Sequence, residues 1–274
     1  NLKIDFFVVD HYSLGEEWEK QIKSGLIKNH ILTNYLEPKI LVIDDLFNRK
    51  HFCNILLNQN YYGEASSEMY KNHVNNSAQL LMGPHYSLLS EEYSLIKNMY
   101  INRNQVKRIL IYFGGGENKI HETIIRSIKH KKFKDIIFDY VISEDSKYYE
   151  FLKEWEGKLG NLFIHKTHPS LAGLMLRADL FLGAGGSTSW ERLCLGIPSL
   201  VISLADNQIE ICKNLSNENY IKYIGKDYEI DSKIISHVLF ESINNKIEIN
   251  KNNDLVDGYG VKRVVNQLLG IRFP

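Results

Sequence analysis

The chain has 274 residues, 44% of them hydrophobic, with 33 Lys and Arg balanced by 33 Asp and Glu. That is enough apolar material for one large or two medium domains, and zero net charge supplies no whole-molecule field for DNA or anionic membranes. Cys53, Cys194 and Cys212 are far apart and form no CxxC pair, so they imply neither a disulfide framework nor a zinc site and read as small buried hydrophobes.

In chain order, apolar runs predict strands over 5–10, 39–45, 53–57 and 79–82. Helices are predicted over 14–24, with Trp18 and Ile22 at i, i+4, and over 91–102, with Tyr93, Ile96, Lys97 and Tyr100 on one stripe. The polar stretch 102–107 marks a domain boundary, and strand–helix alternation restarts at Arg108. Strands follow over 108–113, 136–142, 162–165, 180–183, 199–203 and 221–224, separated by helices over 120–130, 150–158, 170–177, 187–195 and 207–215. Residues 246–253 read as a surface loop. Unbroken runs such as Ile40-Leu41-Val42-Ile43 suit parallel strands covered on both faces. The reading is α/β, two Rossmann-like domains with parallel sheets: 1–104, and 105–274 carrying the nucleotide site. The second, with six strands, is a complete unit; the first is either a complete small sheet or a larger one lacking its first strands. The longest apolar runs are strand-sized, which excludes a spanning helix, and no signal-peptide pattern opens the chain, so the cytoplasm is the expected compartment. The chain opens on Asn1 and reaches the apolar run 6–9 at once, as a fragment or a domain of a longer protein does.

The strongest chemical signal is Leu180-Phe-Leu-Gly-Ala-Gly-Gly-Ser-Thr-Ser-Trp-Glu191, an apolar strand running through a Gly-rich turn into an amphipathic helix. Gly185 and Gly186 let backbone approach a ligand, and the helix start at Ser187 and Thr188 offers N–H groups and positive partial charge to a diphosphate. Glu191 can accept two vicinal ribose hydroxyls; the plainer reading is a tight turn with an N-cap and a dipole-complementing carboxylate. Gly114-Gly115-Gly116 ends the strand 108–113 at the same sheet edge, facing phosphate or sugar or else serving as a turn. It is neither GxGxxG nor a Walker loop, so neither NAD nor ATP is favoured. Asn207 and Gln208 open another helix and can read sugar hydroxyls, with Asp206 as the cap. His11 and Tyr12 end the first strand; His11 is a candidate acid or base, weighed against a polar strand end. Asp44 and Asp45 diverge if their strand continues, so no metal is expected.

Taken in order, Val8-Val-Asp-His-Tyr12, Ile43-Asp-Asp45, Cys53-Asn-Ile-Leu-Leu-Asn58, Met82-Gly-Pro-His-Tyr86, Gly114-Gly-Gly116, the 183–191 block, Asn207-Gln208 and Asp257-Gly-Tyr-Gly260 resemble the UDP-sugar hydrolases of pseudaminic acid biosynthesis, relatives of spore-coat polysaccharide proteins. The resemblance implies a GT-B-like fold and a metal- and cofactor-independent cleavage of UDP from UDP-2,4-diacetamido-2,4,6-trideoxy-β-L-altropyranose. It implies that Ser187 and Thr188 hold the diphosphate and Glu191 the ribose. Asn207 and Gln208 would lie near the diphosphate or sugar, Tyr12 would face the sugar, and backbone at Ile164 would lie near uracil. The family opens on Gly-x-Gly-His-x-x-Arg, whose His is the base; this chain lacks the motif, which implies a truncated first domain, a partner segment or fused enzyme domain, or a chain that only binds. A GT-B glycosyltransferase with a UDP-sugar donor and a non-catalytic nucleotide-sugar module are the alternatives.

Overall fold

The computed structural model describes residues 4–28, 38–63, 66–115, 117–245 and 255–271. These form two compact units, residues 1–90 with 256–274, and residues 91–255.

The first unit is built on a four-stranded parallel sheet in the order β1 (Phe6–Asp10), β2 (Lys39–Ile43), β3 (Ile55–Asn58), β4 (Gln79–Met82). Helix α1 (Glu16–Lys28) follows β1, and α2 (Ser66–Tyr70) lies between β3 and β4. The period-2 geometry of a strand sends alternate side chains to opposite faces. Ile40, Val42 and Leu56 therefore pack on one side with Val9 and Tyr70, while Leu41, Ile55, Leu57 and Leu81 pack on the other. Strand β3 starts at Ile55, two residues later than its apolar run suggests. Cys53 N–H donates to Asn75 Oδ1, and the Asn54 side chain accepts from Ile40 N–H beside the backbone bonds that Asn54 makes to Ile40 and Gln79, so side chains share in holding the entry to the strand.

The second unit alternates strictly: α3 (Glu91–Ile96), β5 (Arg108–Tyr112), α4 (Ile120–Ile128), β6 (Ile137–Ile142), α5 (Tyr149–Lys158), β7 (Leu162–Lys166), α6 (Ala172–Arg177), β8 (Leu180–Ala184), α7 (Thr188–Leu195), β9 (Ser199–Ser203), α8 (Asp206–Asn217), β10 (Lys222–Lys226) and α9 (Ser232–Asn244). Its six parallel strands run β10-β9-β8-β5-β6-β7. Counted from β5 this is the doubly wound dinucleotide-fold order 3-2-1-4-5-6 read backwards. Burial follows the continuous apolar runs: every residue of β8 and β9 is buried.

The units divide at 90/91, not at 104/105, and 256–271 belong with the first. The reason is packing. In α3, Tyr93 is buried and its carbonyl accepts from Cys194 Sγ of α7, which ties 91–96 to the second unit. Helix α10 (Gly260–Leu269) lays Val264 and Leu268 against Leu41, Leu57 and Leu81 of the first. The predicted helix over 91–102 stops at Ile96 and tightens into a 3-10 turn at Lys97–Met99. All three cysteines are free and buried.

Candidate functional site

In a doubly wound sheet the ligand crevice opens at the carboxyl ends of the strands, where successive connections turn to opposite sides. Here that point lies between β5 and β8, which are hydrogen-bonded neighbours with Tyr112 opposite Gly183. The two Gly-rich loops foreseen from sequence leave these two strands, so the fold brings them side by side. Gly114 has φ +78°, a left-handed backbone that favours glycine, and a Cβ on Gly114 or Gly115 would meet nothing within 4 Å. Gly116 lies outside the described residues. The loop is tied down beyond its glycines by Asn118, whose Nδ2 donates to Asp227 Oδ2 at 2.8 Å while its Oδ1 accepts from Ile120 N–H.

The glycines of the second loop do different work. A Cβ on Gly183 would stand 2.2 Å from the Tyr112 carbonyl oxygen, and one on Gly185 2.3 Å from Cys212 Sγ. Both are therefore required by close internal packing, and Gly185 is buried. A Cβ on Gly186 would meet only Gln208 Nε2, at 3.8 Å, so this residue leaves the approach to the turn open. Ser187 is exposed and already helical (φ −56°, ψ −31°), and its side chain makes no capping bond. The hydroxyl foreseen as an N-cap is thus uncommitted. Backbone bonding in this turn starts with Ser189 N–H to Gly186 O and Trp190 N–H to Ser187 O, which leaves the preceding N–H groups at the helix's positive end. Thr188 is the first helical residue and is half-buried.

Glu191 lies half-buried in the first turn of α7. Burial raises its carboxyl pKa, opposed by the nearby Tyr93 hydroxyl and the Arg192 charge. Its Oε2 and the Tyr93 hydroxyl are close neighbours, yet neither meets hydrogen-bond geometry. Tyr112, at the end of β5, also feels Glu191: burial first, then the Glu191 charge, raise its pKa. Glu191 is therefore placed by β5, α3 and α7 together. Tyr93 escaped the sequence reading because on a helical stripe it looks like ordinary core.

On α8, Asp206 is the first helical residue behind an extended Ala205 and makes no cap bond, so it is not the cap the sequence suggests. Gln208 Oε1 accepts Leu204 N–H at 2.9 Å, which fixes the amide and turns Nε2 toward Gly186. Asn207 is exposed at the same strand end. Ile164 lies in the edge strand β7, and its N–H already donates to Glu156 Oε1 at 2.7 Å, so this donor is spent. A cavity of about 280 Å³ opens beside these elements, lined by Ser203, Asp206 and Asp227 among others. A larger one, about 630 Å³, lies at the opposite, amino-terminal edge of the sheet. Of its guanidiniums, Arg103 pairs with Asp179 at 3.0 Å, while Arg108 and Arg177 share Asp139 at 2.6 and 3.6 Å, and chemistry in this fold belongs to the other edge.

In the first unit, His11 is exposed and its Nδ1 accepts Ser13 N–H at 3.0 Å. That bond leaves the ring proton on Nε2, so the neutral ring has no free acceptor nitrogen and does not serve as a base in this form. Tyr12 is 66% exposed, and the Asp45 charge, then burial and the Asp10 and Asp44 charges, raise its pKa. A phenol held protonated in this way offers a hydrogen-bond donor. Asp44 turns inward, where its Oδ2 accepts from Tyr70 Oη at 2.7 Å and its Oδ1 pairs with Arg49 at 2.8 Å. Burial opposes its ionisation, but hydrogen bonds from His51 and Tyr70 and the Arg49 charge win and hold it at about 2. Behind it, His51 Nδ1 pairs with Glu19 at 2.8 Å. Asp44 thus anchors a buried network, a role the spacing of the Asp-Asp pair did not reveal. The Asp257-Gly-Tyr-Gly260 motif is likewise structural: Asp257 pairs with both terminal nitrogens of Arg263, and Arg263 Nη1 also donates to the His85 carbonyl. A Cβ on Gly260 would stand 2.2 Å from Ser87 O.

No known family profile matches the chain. It is 23% identical over 270 residues to the spore coat polysaccharide biosynthesis protein SpsG of Bacillus subtilis, spanning 96% of this chain and 75% of that protein. It is 26% identical over 220 residues to the UDP-2,4-diacetamido-2,4,6-trideoxy-beta-L-altropyranose hydrolase of Campylobacter jejuni, spanning 80% of this chain and 73% of that enzyme. Among solved structures, the S. aureus MnaA–UDP co-structure superposes with a TM-score of 0.63 at 14% identity, covering 96% of this chain and 73% of that one. The fold is therefore GT-B-like, two parallel-sheet α/β units.

Proposed function

We propose that the chain binds a UDP-sugar at the Gly-rich turn of its second unit and hydrolyses the bond between the sugar's anomeric carbon and the diphosphate, with a 2,4-diacetamido-2,4,6-trideoxyhexose as the sugar. The observation that carries the reading is the meeting of two Gly-rich loops at the carboxyl ends of β5 and β8, in front of an uncapped helix start. Distant relatives that include a hydrolase of such a UDP-sugar support the substrate class. In this reading the N–H groups and hydroxyls at Ser187 and Thr188 hold the diphosphate and stabilise the charge that grows on it as the C–O bond breaks. Gly115 leaves room for the ligand opposite. Glu191 accepts the ribose hydroxyls, Gln208 Nε2 and Asn207 donate to phosphate or sugar, and the chain near Ile164 borders the base through groups other than its N–H. Water attacks the anomeric carbon and gives up one proton to solvent, UDP leaves with the bonding electron pair, and the configuration inverts. Tyr12 acts as a donor and not as a base.

The test is UDP release from UDP-2,4-diacetamido-2,4,6-trideoxy-β-L-altropyranose in the absence of any acceptor. Steady release supports the hydrolase; release that requires an acceptor sugar or lipid makes the chain a transferase and rejects it. The commitment of His11 Nδ1 to Ser13 favours a second reading, a nucleotide-sugar binding module. Micromolar UDP binding by calorimetry with no release under either condition selects it.

A further inference from the structure

One fully buried charged side chain in the second unit makes no direct ion pair among the described residues. Arg192 is fully buried beneath the Gly-rich turn. Its Nη1 donates to the Ala184 carbonyl at 3.0 Å, its Nη2 to Ser189 Oγ at 2.8 Å, and its guanidinium lies 4.6 Å from the Phe181 ring centroid. All three partners are neutral, Nε has no hydrogen-bond partner, and the residue forms no ion pair among the described residues. The adjacent Cys212 thiol, pushed up to about 11 by burial, is neutral at physiological pH. The half-buried Glu191, next in the chain, acts on Arg192 by its charge but makes no ion pair with it, and burial raises the Glu191 pKa and so favours its neutral form. A fully buried cation without a directly paired anion is costly, and folded proteins retain one where something compensates it. A purely structural peg between Ala184 and Ser189 would need hydrogen-bond donors but no charge. The two groups that Arg192 grips bracket the Gly185–Thr188 turn, where the proposed diphosphate sits.

We propose that Arg192 is a positioning residue whose buried charge is completed by the bound diphosphate: it fixes the Gly-rich turn from below and supplies a non-contacting, solvent-shielded positive charge under the anion. The inference rests on the UDP-sugar reading for the identity of the ligand, but its electrostatic content concerns the pyrophosphate moiety alone. Because the charge acts through a low-dielectric layer, it discriminates by ligand charge and not by the nucleoside.

Isothermal titration of the wild type, R192M and R192K with UDP, inorganic pyrophosphate and uridine tests it. R192M is expected to lose affinity for UDP and pyrophosphate by roughly tenfold or more, equivalent to about 1.4 kcal/mol, with uridine unchanged, and R192K is expected to regain most of the loss. Equal affinities of R192M and wild type, or a uniform loss that includes uridine, overturn the proposal. Wild type that binds pyrophosphate but neither UDP nor uridine rejects the UDP-sugar reading and leaves Arg192 standing; binding of none of the three rejects both. Should R192M fail to fold, nitrogen-15 NMR of wild-type arginine side chains decides. The slowly exchanging Nε–H of Arg192 is expected to shift on addition of pyrophosphate and to stay put with uridine, and an unmoved signal on pyrophosphate overturns the proposal.

Discussion

Gly185 looks like a ligand-facing glycine in sequence, yet its missing side chain points into the protein, and this can be tested without any ligand. A Cβ there would stand 2.3 Å from Cys212 Sγ, with the next neighbours, Gln208 Cβ and Val201 Cγ1, at 3.4 and 3.6 Å. One sulfur atom therefore accounts for the whole clash. Gly185→Ala in the wild-type background is expected to cost about 1–3 kcal/mol, the usual range for overpacking a filled interior. Cys212→Ala alone leaves a sulfur-sized void and is expected to cost about 1 kcal/mol. In the double variant the new methyl occupies the space the sulfur vacated, so the two losses do not add: the double is expected to be no less stable than Cys212→Ala, a coupling of about 1–3 kcal/mol in its favour. Urea titration followed by the fluorescence of Trp155 and Trp190, both in the same unit, measures all four corners of the cycle. Additive costs would show that Gly185 is needed for its backbone or for a ligand, and the packing explanation would be wrong.

Glu191→Ala should weaken UDP binding by about 1–3 kcal/mol through lost charge-assisted hydrogen bonds to ribose, and unchanged affinity in calorimetry rejects that role. Because burial raises the Glu191 pKa, wild-type UDP affinity should begin to fall, as pH is lowered, at a higher pH than an ordinary glutamate would dictate; a titration that follows the ordinary glutamate range argues against it. Asp44 is held at about 2, below its unfolded value near 3.9. Its contribution, at most about 2 kcal/mol after solvent screening, is complete above about pH 4 and disappears as pH falls through about 2; Asp44→Asn should flatten the acid limb of thermal stability over that window. Tyr70→Phe removes the donor to Asp44 and should cost about 1.5–3 kcal/mol by urea titration, while a loss below about 0.5 would show that the network does not depend on it. Gly260→Ala sets a methyl 2.2 Å from the Ser87 backbone oxygen, which cannot rotate away, and should lower the melting temperature by at least as much as Gly185→Ala does.

The strands were legible because their chemistry is one-dimensional. Continuous Ile, Leu and Val runs at 40–43 and 109–111 mean burial on both faces, and all ten expected strands are present in the parallel sheets. What escaped lies in long-range relations that no window contains. Helix α9 has a local signal, Asp-Ser-Lys-Ile-Ile, in which Asp231 caps it by accepting Lys233 and Ile234 N–H at 2.9 Å, but it follows a weak edge strand and lacks the long apolar run that marks the earlier units. Helix α10 carries its buried stripe on Val264 and Leu268, but its membership of the first unit follows from contact with β2, β3 and β4, more than 180 residues earlier in the chain. Polarity points to 102–107 as a boundary, whereas the compact units divide at 90/91, where Tyr93 packs with the second.

The candidate site divides by the same logic. Ser187, Thr188, Gly186 and Gln208 could be read as a ligand cradle because anion binding at a helix start is a local property of backbone and neighbouring residues. Other residues of the same ordered motifs prove to be scaffold. Gly183 and Gly185 admit a carbonyl and a sulfur, Asp44 and Tyr70 hold a buried network, and Gly260 with Arg263 clasps α10 to the turn at Pro84–Tyr86. These motifs therefore mix two kinds of requirement, and steric accounting identifies one of them: where an added Cβ would strike the protein's own atoms, packing demands the glycine, whereas at Gly115 it would meet nothing within 4 Å and at Gly186 only Gln208 Nε2 at 3.8 Å, so packing makes no such demand there. On that criterion the side of the crevice to probe first runs from Gly115 across to Gly186 and Ser187, with Arg192 beneath it.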